Sequence, residues 1–287
     1  MQPELIADYQ CHCGENPLWH PLEQRLYWTD SNRGKLFRYD PATGKHEQCY
    51  SGAPVGGFTI QVDGSLLLFM ARGAIAKWRD GVIDYVMEEI IDERDSAFND
   101  VIADPVGRVF CGTEPTPTRP SRLYRLDLDG ELHLLLEGIG VSNGMGFTLD
   151  RRHMYYTDSW PARSIYLFDY DERSGALTNQ RVWLQTPEGA GAPDGMTVDA
   201  QGYVWSARWN DSALYRYTPD AVEERRIQFP AKKVSSVIFG GDDLSDLYVT
   251  TALFDGTIAE EGQGAGALFR LRLGIRGLPE FYSRIRL

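Results

Sequence analysis

A strand pattern that recurs six times is the feature that most constrains how this chain can fold. Each copy has an aromatic or aliphatic strand, a polar gap and a second strand ending near an acidic turn, as in residues 26–30 followed by residues 35–40. The equivalent positions in the six copies are Tyr27, Leu66, Val109, Tyr155, Val204 and Tyr248. Successive positions are 39, 43, 46, 49 and 44 residues apart. This is the repeat length of a propeller blade, a four-stranded sheet packed radially on its neighbours. The pattern predicts an all-β fold, with residues 1–287 forming a single six-bladed β-propeller domain rather than a two-sheet sandwich.

A further short apolar strand is expected before each copy after the first. These segments are residues 58–63, 101–104, 145–150, 196–199 and 237–240, and each is closed by an acidic or glycine turn. Long amphipathic helices are absent from the pattern. If the extra strands are the innermost ones, their first residues line one end of the central channel.

Charge and hydropathy exclude several classes of protein. The formal net charge of −12 would repel a nucleic acid, so no nucleic-acid partner is expected. No apolar run approaches the roughly 18 residues that span a bilayer, and the first residues lack the regions of a signal peptide. We therefore expect a cytoplasmic protein without a membrane partner. The four cysteines are too unevenly spaced for a disulfide framework or a four-thiolate zinc site, and we expect them to be reduced.

Four polar residues lie where the inner strands would begin. Glu15, Asn99 and Asp194 each lie five residues before a strand end, and Asn143 lies seven before one. Five and seven have the same parity, and alternate residues of a strand face the same way, so all four side chains could point into the channel from four blades. Taken singly, each is an ordinary turn or loop residue; their shared register favours a site.

Two carboxylates and two carboxamides that converge form a set of hard oxygen ligands. Calcium, magnesium and manganese prefer such ligands, and zinc can accept them. Two carboxylates buried together without a cation would be costly in free energy. The sequence therefore predicts a divalent-metal site at the mouth of the channel.

Six short segments resemble one known family. They are residues 11–17, residues 99–100 with 109–113, the Ser-Asn-Gly of 142–144, the Pro-Asp-Gly-Met of 193–196, residues 239–241 with 247–251, and residues 265–269. These segments resemble the regucalcin and gluconolactonase family, also called senescence marker protein. They occur in the same order as in that family, and the resemblance extends over nearly the whole chain. The resemblance implies a six-bladed propeller that hydrolyses a sugar lactone with one divalent metal ion, calcium foremost and zinc, manganese or magnesium as alternatives.

The resemblance also implies roles for individual residues. In that family the glutamate and the Ser-Asn-Gly and Pro-Asp-Gly residues bind the catalytic metal, which implies Glu15, Asn143 and Asp194 as ligands. Asn99 matches an asparagine that contacts substrate. The family often has an arginine two residues earlier that grips sugar hydroxyls, and this chain has Ala97 there. The usual substrate therefore does not follow, although Arg94 could reach in from the same loop.

The chemistry expected of such a site is hydrolysis of a sugar lactone to the aldonic acid. Negative charge builds on the carbonyl oxygen as water attacks, and a divalent cation would stabilise that charge and lower the pKa of a bound water. Asp194 or Glu15 would accept the proton of the water, and Asn99 would orient the substrate. The expected partner is a small-molecule sugar lactone; Trp160, Trp209 and Asn210 either line its pocket or pack between blades.

Other functions compete with this interpretation. Residues 140–144, Gly-Val-Ser-Asn-Gly, fit the nucleophile-elbow pattern, but that motif needs a following helix and a downstream histidine, and His153 is the only later one. The glycine-rich residues 262–266 lack the surrounding βαβ unit of a nucleotide site. A metal-dependent phosphotriesterase and a non-enzymatic calcium-binding propeller remain as alternatives.

Overall fold

The computed structural model describes residues 2–286 and confirms the six-bladed β-propeller. Its 24 strands form six separate antiparallel sheets of four strands each. In the first blade these are β2 (Gly14–His20), β3 (Arg25–Asp30), β4 (Lys35–Asp40) and β5 (Lys45–Ser51), while β1 (Glu4–Asp8) belongs to the last blade. The second blade contains β6 (Val55–Ile60), β7 (Leu66–Met70), β8 (Ile75–Arg79) and β9 (Val82–Met87).

The remaining blades repeat this order. The third contains β10 (Phe98–Ala103), β11 (Val109–Thr113), β12 (Ser121–Leu126) and β13 (Leu132–Ile139). The fourth contains β14 (Ser142–Phe147), β15 (His153–Asp158), β16 (Ser164–Asp171) and β17 (Ala176–Gln185). The fifth contains β18 (Ala192–Val198), β19 (Val204–Trp209), β20 (Ala213–Tyr217) and β21 (Glu223–Gln228), and the sixth contains β22 (Lys233–Gly240), β23 (Asp246–Ala252) and β24 (Ala267–Arg272).

The first strands of the blades form the inner ring. β2, β6, β10, β14, β18 and β22 contact one another in this cyclic order, and β22 returns to β2. The ring closes in the sixth blade, where β1 pairs with β24 and so joins the N-terminal strand to the last sheet. The pairs of strands predicted from the repeats are the second and third strands of each blade.

The core consists of side chains packed between neighbouring blades. Trp205 of the fifth blade and Phe239 of the sixth meet edge to face, with ring centroids 6.1 Å apart. Phe69 and Phe98 make the same kind of contact between the second and third blades, at 5.3 Å. Such contacts bury apolar area on both faces of every sheet, which explains why the inner strands are almost wholly buried.

The inner strands begin earlier than the sequence predicts, because each contains a β-bulge near its start. The pairing of every inner strand with the next strand shifts at this point, for example between Ser142 and Met145 and between Pro193 and Met196. A bulge leaves one or more residues out of the ladder and re-aims their side chains. Glycine and proline occur near these bulges and are poor strand formers, so the sequence pattern does not identify the first residues of the inner strands as part of a strand.

The C-terminal segment after β24 covers the channel end opposite these bulges. Its backbone donates hydrogen bonds from Gly277 to the carbonyl of Leu244, from Ser283 to Ile60 and from Arg284 to Gly107, so it runs from the sixth blade to the second and third. Two short helical turns, η1 (Ile91–Glu93) and α1 (Ile258–Glu261), lie outside the sheets. No helix within residues 2–286 is long and apolar enough to cross a membrane.

Candidate active site

A cavity of about 820 Å³ opens at the end of the channel where the bulges lie. All four residues predicted to converge there line it: Glu15 from β2, Asn99 from β10, Asn143 from β14 and Asp194 from β18. Each side chain is at least nine-tenths buried. Four blades therefore each contribute one polar side chain to a single cavity, as the sequence predicts.

The bulges bring these four side chains together, and strand parity alone does not. The parity argument counts residues from the end of each strand back to the polar residue, and in every case this count passes through a bulge, where the alternation of side chains is interrupted. For Asn143 the count also starts at Asp150, which lies beyond the end of β14 at Phe147. What the four strands share is the bulge itself, which in β10, β14 and β18 contains Asn99, Asn143 and Asp194. The predicted convergence is observed, and its cause is the common bulge.

The glycines of the two short motifs are needed for close packing of the inner strands. A Cβ on Gly144 would lie 2.6 Å from the backbone oxygen of Asp194, and one on Gly195 would lie 2.2 Å from Oγ of Ser236. Both glycines lie inside strands rather than in turns. In both the Ser-Asn-Gly and the Pro-Asp-Gly motif, the middle residue faces the cavity. The glycine that follows it has no side chain, which allows the inner strand of the next blade to approach closely.

Both asparagine side chains are held through their amide nitrogens. Nδ2 of Asn143 donates to Oγ of Ser159 at 2.9 Å, and Nδ2 of Asn99 donates to the carbonyl oxygen of Ser142 at 2.8 Å. Ser159 in turn donates to the carbonyl oxygen of Pro193. These bonds leave Oδ1 of Asn143 buried without a hydrogen-bond partner among the described residues. An amide fixed in this way presents an acceptor oxygen to the cavity.

The two predicted carboxyl groups lie in an environment that opposes their ionisation. Burial raises the pKa of Glu15 well above its usual range, and the charges of Asp194 and Asp100 raise it further. Burial, followed by the charges of Asp100 and Glu114, raises the pKa of Asp194 in the same way. Oε2 of Glu15 is buried with no hydrogen-bond partner in residues 2–286. Without a cation or a proton, this arrangement is electrostatically unfavourable.

Two further carboxyl groups, of Asp100 and Glu114, were not among the predicted site residues. Burial and the charge of Glu114 raise the pKa of Asp100 to about 7, and burial raises the pKa of Glu114 to about 7. Asp100 directly follows Asn99, while Glu114 comes one residue after the end of β11 and lines the cavity. Asp100 could have been found from the bulge it shares with Asn99. No local signal in the sequence marks Glu114, since it follows the second strand of its blade and is not part of an inner strand.

The thiol of Cys13 is another group at the cavity that was not among the predicted site residues. Cys13 lines the cavity, and its Sγ donates to Oε1 of Glu15 at 3.8 Å. Burial and the neighbouring charges of Glu15 and Asp194 raise the pKa of this thiol well above its usual range. The thiol therefore acts as a protonated neighbour of Glu15.

The rim of the cavity is aromatic and polar. Trp160, Trp209 and Asn210, which the sequence left undecided between lining and packing, all line it. Phe254 packs edge to face on Trp209 with ring centroids 5.4 Å apart. Arg94 does not line the cavity: its guanidinium pairs with Glu89, with Nε 2.9 Å from Oε2. Arg94 thus does not replace the arginine absent at Ala97.

Ser142 has the surroundings of a structural residue. It is fully buried, and its Oγ accepts a hydrogen bond from the hydroxyl of Tyr156 at 2.7 Å. The strand β14 that contains it leads into β15, not into a helix. His153 lies at the start of β15, where its ring is 3.5 Å from Asp169. A nucleophile elbow requires a strand, a sharp turn and a helix, which this region does not form.

The donor set at the mouth fits a hard divalent cation. No group of three or more His, Cys, Asp or Glu side chains in the described part of the chain is arranged to hold a metal, so a cation here would need carboxamide oxygens as well as carboxylates. The buried, unpartnered Oε2 of Glu15 and Oδ1 of Asn143 are oxygens of the two kinds required. The residues present therefore suit an oxygen-ligated cation.

Comparison with known families agrees with this arrangement of motifs on a propeller. Residues 13–253 match the family described as SMP-30/Gluconolactonase/LRE-like region. The chain belongs to this family. The match covers all six inner strands completely and includes all four residues that converge on the cavity.

Several known proteins are similar to this chain over nearly its whole length. Pentonolactonase XacC of Haloferax volcanii is 48% identical over 288 residues, covering 98% of both chains. Human regucalcin is 30% identical over 293 residues, covering 97% of both. The solved structure of a calcium-binding protein, regucalcin, from Agrobacterium tumefaciens superimposes with a TM-score of 0.91 at 25% identity, covering 99% of this chain and 97% of that one.

Proposed function

We propose that this protein is a divalent-metal-dependent lactonase that hydrolyses a sugar lactone to the aldonic acid. The observation that carries the proposal is the convergence of Glu15, Asn99, Asn143 and Asp194 on one cavity. Oε2 of Glu15 and Oδ1 of Asn143 are buried there without a hydrogen-bond partner among residues 2–286. The name of the 48% identical pentonolactonase supports a lactone substrate and makes a five-carbon sugar lactone the first candidate. The description of the Agrobacterium regucalcin supports calcium as the first cation to test, before zinc, manganese and magnesium.

Glu15, Asn143 and Asp194 would hold the cation. When bound, it would supply a positive charge that polarises the lactone carbonyl and lowers the pKa of water. Oδ1 of Asn143 is already oriented by the bond from its Nδ2 to Ser159. Replacing any of the three by a residue without the ligand oxygen should weaken cation binding, which calorimetry measures without reference to turnover.

The remaining steps belong to the side chains of the chain itself. A carboxylate, Asp194 or Glu15, accepts a proton from the attacking water as the water oxygen bonds to the carbonyl carbon. The ring C–O bond then breaks, and the leaving oxygen takes a proton to give the hydroxy acid. Asn99 orients the substrate: because its Nδ2 is bonded to Ser142, its Oδ1 is left to accept a hydrogen bond from a sugar hydroxyl.

The rim residues explain how a sugar could enter and be positioned. Trp160 and Trp209 would offer apolar ring surface to the C–H groups of a sugar, and Asn210 would offer donors and acceptors to its hydroxyls. A cavity of about 820 Å³ accommodates a five- or six-membered sugar lactone with solvent around it. The cavity thus has aromatic residues at its rim and polar residues at its base.

The test is acid release from a panel of five- and six-membered sugar lactones by metal-stripped protein. Calcium, zinc, manganese and magnesium are restored one at a time, and a pH indicator reports hydrolysis. Metal-dependent acid release, fastest on a five-carbon lactone, is the expected result. If every lactone stays intact with every metal while calorimetry shows that metal binds, the lactonase proposal is abandoned, and phosphotriesters and protein partners are tested instead.

A further inference from the structure

Glu114 lies at the mouth of the channel and has no part in the mechanism proposed above. Its backbone N–H donates to the carbonyl oxygen of Ala97 at 2.8 Å, and its own carbonyl oxygen accepts from Oγ of Ser96 at 2.7 Å. These bonds fix the backbone of Glu114 directly beside Ala97. Its side chain lines the same cavity as Glu15 and Asp194.

The carboxylate of Glu114 makes no hydrogen bond or ion pair with another side chain within residues 2–286. Glu93, an acid of the helical turn η1 that contacts the same blade, is the opposite case: it accepts from the hydroxyl of Tyr124 at 2.6 Å and pairs with Arg119 at 2.5 Å and Arg122 at 3.3 Å. The carboxylate of Glu93 is fully committed to holding the blade together. The carboxylate of Glu114 is held in place by its backbone and remains available to a ligand.

No positive side chain near Glu114 balances its charge. Arg163 is the single basic residue among the described residues that line the cavity, and it lies on the fourth blade, where its guanidinium donates to the carbonyl oxygens of Pro187 and Gly191. Position 97 beside Glu114 is an alanine, and Arg94 is paired with Glu89 outside the cavity. A cation held by Glu15, Asn143 and Asp194 would favour the ionised form of Glu114 but would leave it with its own charge.

An unpaired carboxylate selects ligands by their chemistry. It accepts hydrogen bonds from hydroxyl groups, which a neutral sugar lactone supplies, and it repels a second carboxylate. The aldonic acid formed by hydrolysis is an anion at neutral pH, so the same group that binds a hydroxyl of the substrate opposes retention of the product. A guanidinium at position 97 would have the reverse preference, since it donates to hydroxyls and attracts anions.

We propose, as an extension of the lactonase function above, that Glu114 is a specificity-determining residue whose carboxylate binds a hydroxyl of a neutral polyhydroxylated lactone. It discriminates against lactones that carry an acidic group and promotes release of the anionic product. The substrate class is thereby narrowed to uncharged aldonolactones.

The test compares three lactones of one ring size: a neutral polyhydroxylated lactone, a lactone without hydroxyls, and a lactone that carries a free carboxylate. Each is assayed with the wild type, Glu114→Gln, Glu114→Ala and Ala97→Arg. Glu188→Gln serves as the matched control, because Glu188 is an exposed glutamate on the loop next to Gly189 at the rim, and its loss changes the net charge equally. Thermal unfolding of each variant checks that it is folded.

Glu114→Ala is expected to lower kcat/KM for the polyhydroxylated lactone about tenfold to hundredfold, mainly through KM, because a hydrogen bond to a charged group is lost. Hydrolysis of the lactone without hydroxyls should change by less than about threefold. Glu114→Gln and Ala97→Arg should each raise kcat/KM for the carboxylate-bearing lactone about tenfold and strengthen inhibition by the aldonate product, since they remove or neutralise a repelling charge.

Three results would overturn the assignment. Equal losses on all three lactones in folded Glu114→Ala would place Glu114 in the reaction itself. An order of preference that is the same in Glu114→Gln as in the wild type and in Glu188→Gln would show that its charge has no effect, and would leave the lactonase proposal intact. A wild type that hydrolyses no lactone with any metal would remove both proposals together.

Discussion

The buried acids of this propeller fall into two groups that differ in how their charge is balanced. In the blades, Asp104 is fully buried and pairs with Arg108 at 2.6 Å, and Asp199 is fully buried and pairs with Arg216 at 2.7 Å. At the mouth, Glu15 and Asp194 are nearly as buried and have no basic partner among the described residues. Burial is similar in the two groups, and the neutralising group is present in only one of them.

This difference distinguishes structural acids from functional ones. The carboxylate of Asp104 also accepts from the backbone N–H groups of Val106, Gly107 and Arg108 and from the hydroxyl of Tyr170, so its charge is satisfied by the fold. At the mouth, burial raises the pKa values of Glu15 and Asp194, and repulsion from the neighbouring acids raises them further. A fold that leaves several acids unbalanced at one place loses stability there, unless a ligand from outside supplies the positive charge.

The largest effect is expected from a change in a mouth acid. Asp194→Asn and Glu15→Gln should each lower kcat on a sugar lactone at least about thousandfold, since the variant loses both an anionic ligand and a candidate proton acceptor. Steady-state kinetics at saturating metal measures the loss, with Glu188→Gln as the control. Full activity with metal still bound would place that residue with the structural acids and break the comparison.

The second effect concerns a blade acid. Asp104→Asn should lower the free energy of unfolding by about 3–5 kcal/mol, because it leaves the guanidinium of Arg108 buried without its counter-charge. Urea unfolding measures the change, and kcat per folded molecule should stay within about twofold of the wild type. If Asp104→Asn instead removed activity without a loss of stability, the division between structural and functional acids would be wrong.

The third prediction uses pH to sharpen the comparison. With metal stripped, folded Asp100 and Glu114 keep protons up to about pH 7, whereas the unfolded chain releases them near about pH 4. The folded state binds more protons in this window, so its stability should fall as the pH rises from about 4 to about 7.

Calcium should reverse the effect, because it replaces the protons at the mouth. At a calcium concentration about 100 times its Kd, the expected stabilisation is about 2.7 kcal/mol. Differential scanning fluorimetry with calcium or chelator at pH 5 and pH 8 should give the larger calcium-induced rise in Tm at pH 8. An equal rise at both values would contradict a site in which protons and cation compete.

The smallest effect is expected at Ser142. Since its Oγ is buried and already accepts from Tyr156, Ser142→Ala should leave kcat within about threefold of the wild type. A serine-reactive organophosphorus reagent should also leave activity intact, while a chelator removes it. Loss of activity with the serine reagent would indicate that catalysis depends on a serine nucleophile and not on the acids at the mouth.

Much of the fold could be read from the sequence because the repeat is local. The second and third strands of a blade are neighbours in sequence and alternate or remain apolar over four to seven residues, so six copies are visible without any long-range information. The outer strands, such as β5 and β17, are mostly exposed and polar and show no such pattern. The pairing of β1 with β24 joins residues more than 250 positions apart, which the repeat does not specify.

The site was predictable in part for the same reason. Glu15, Asn99, Asn143 and Asp194 occupy equivalent places in the repeat, so finding the repeat brings them together. Glu114 follows β11 of the third blade and Cys13 directly precedes β2 of the first, at places where the other blades have no counterpart of similar chemistry. Only the closing of the six blades into a ring brings these two residues to one cavity. Arg94, close to Asn99 in sequence, is directed away by its pair with Glu89.

The sequence by itself determined the all-β repeat, the number of blades and the four polar residues that face one end of the channel, because each depends on spacing along the chain. The tertiary structure alone decided which acids are neutralised and which are not. Whether a carboxylate is paired depends on the distance to a guanidinium from another strand, and electrostatic energy changes steeply with that distance and with burial. That balance of charge, rather than the identity of the acids, separates the mouth of this propeller from its blades.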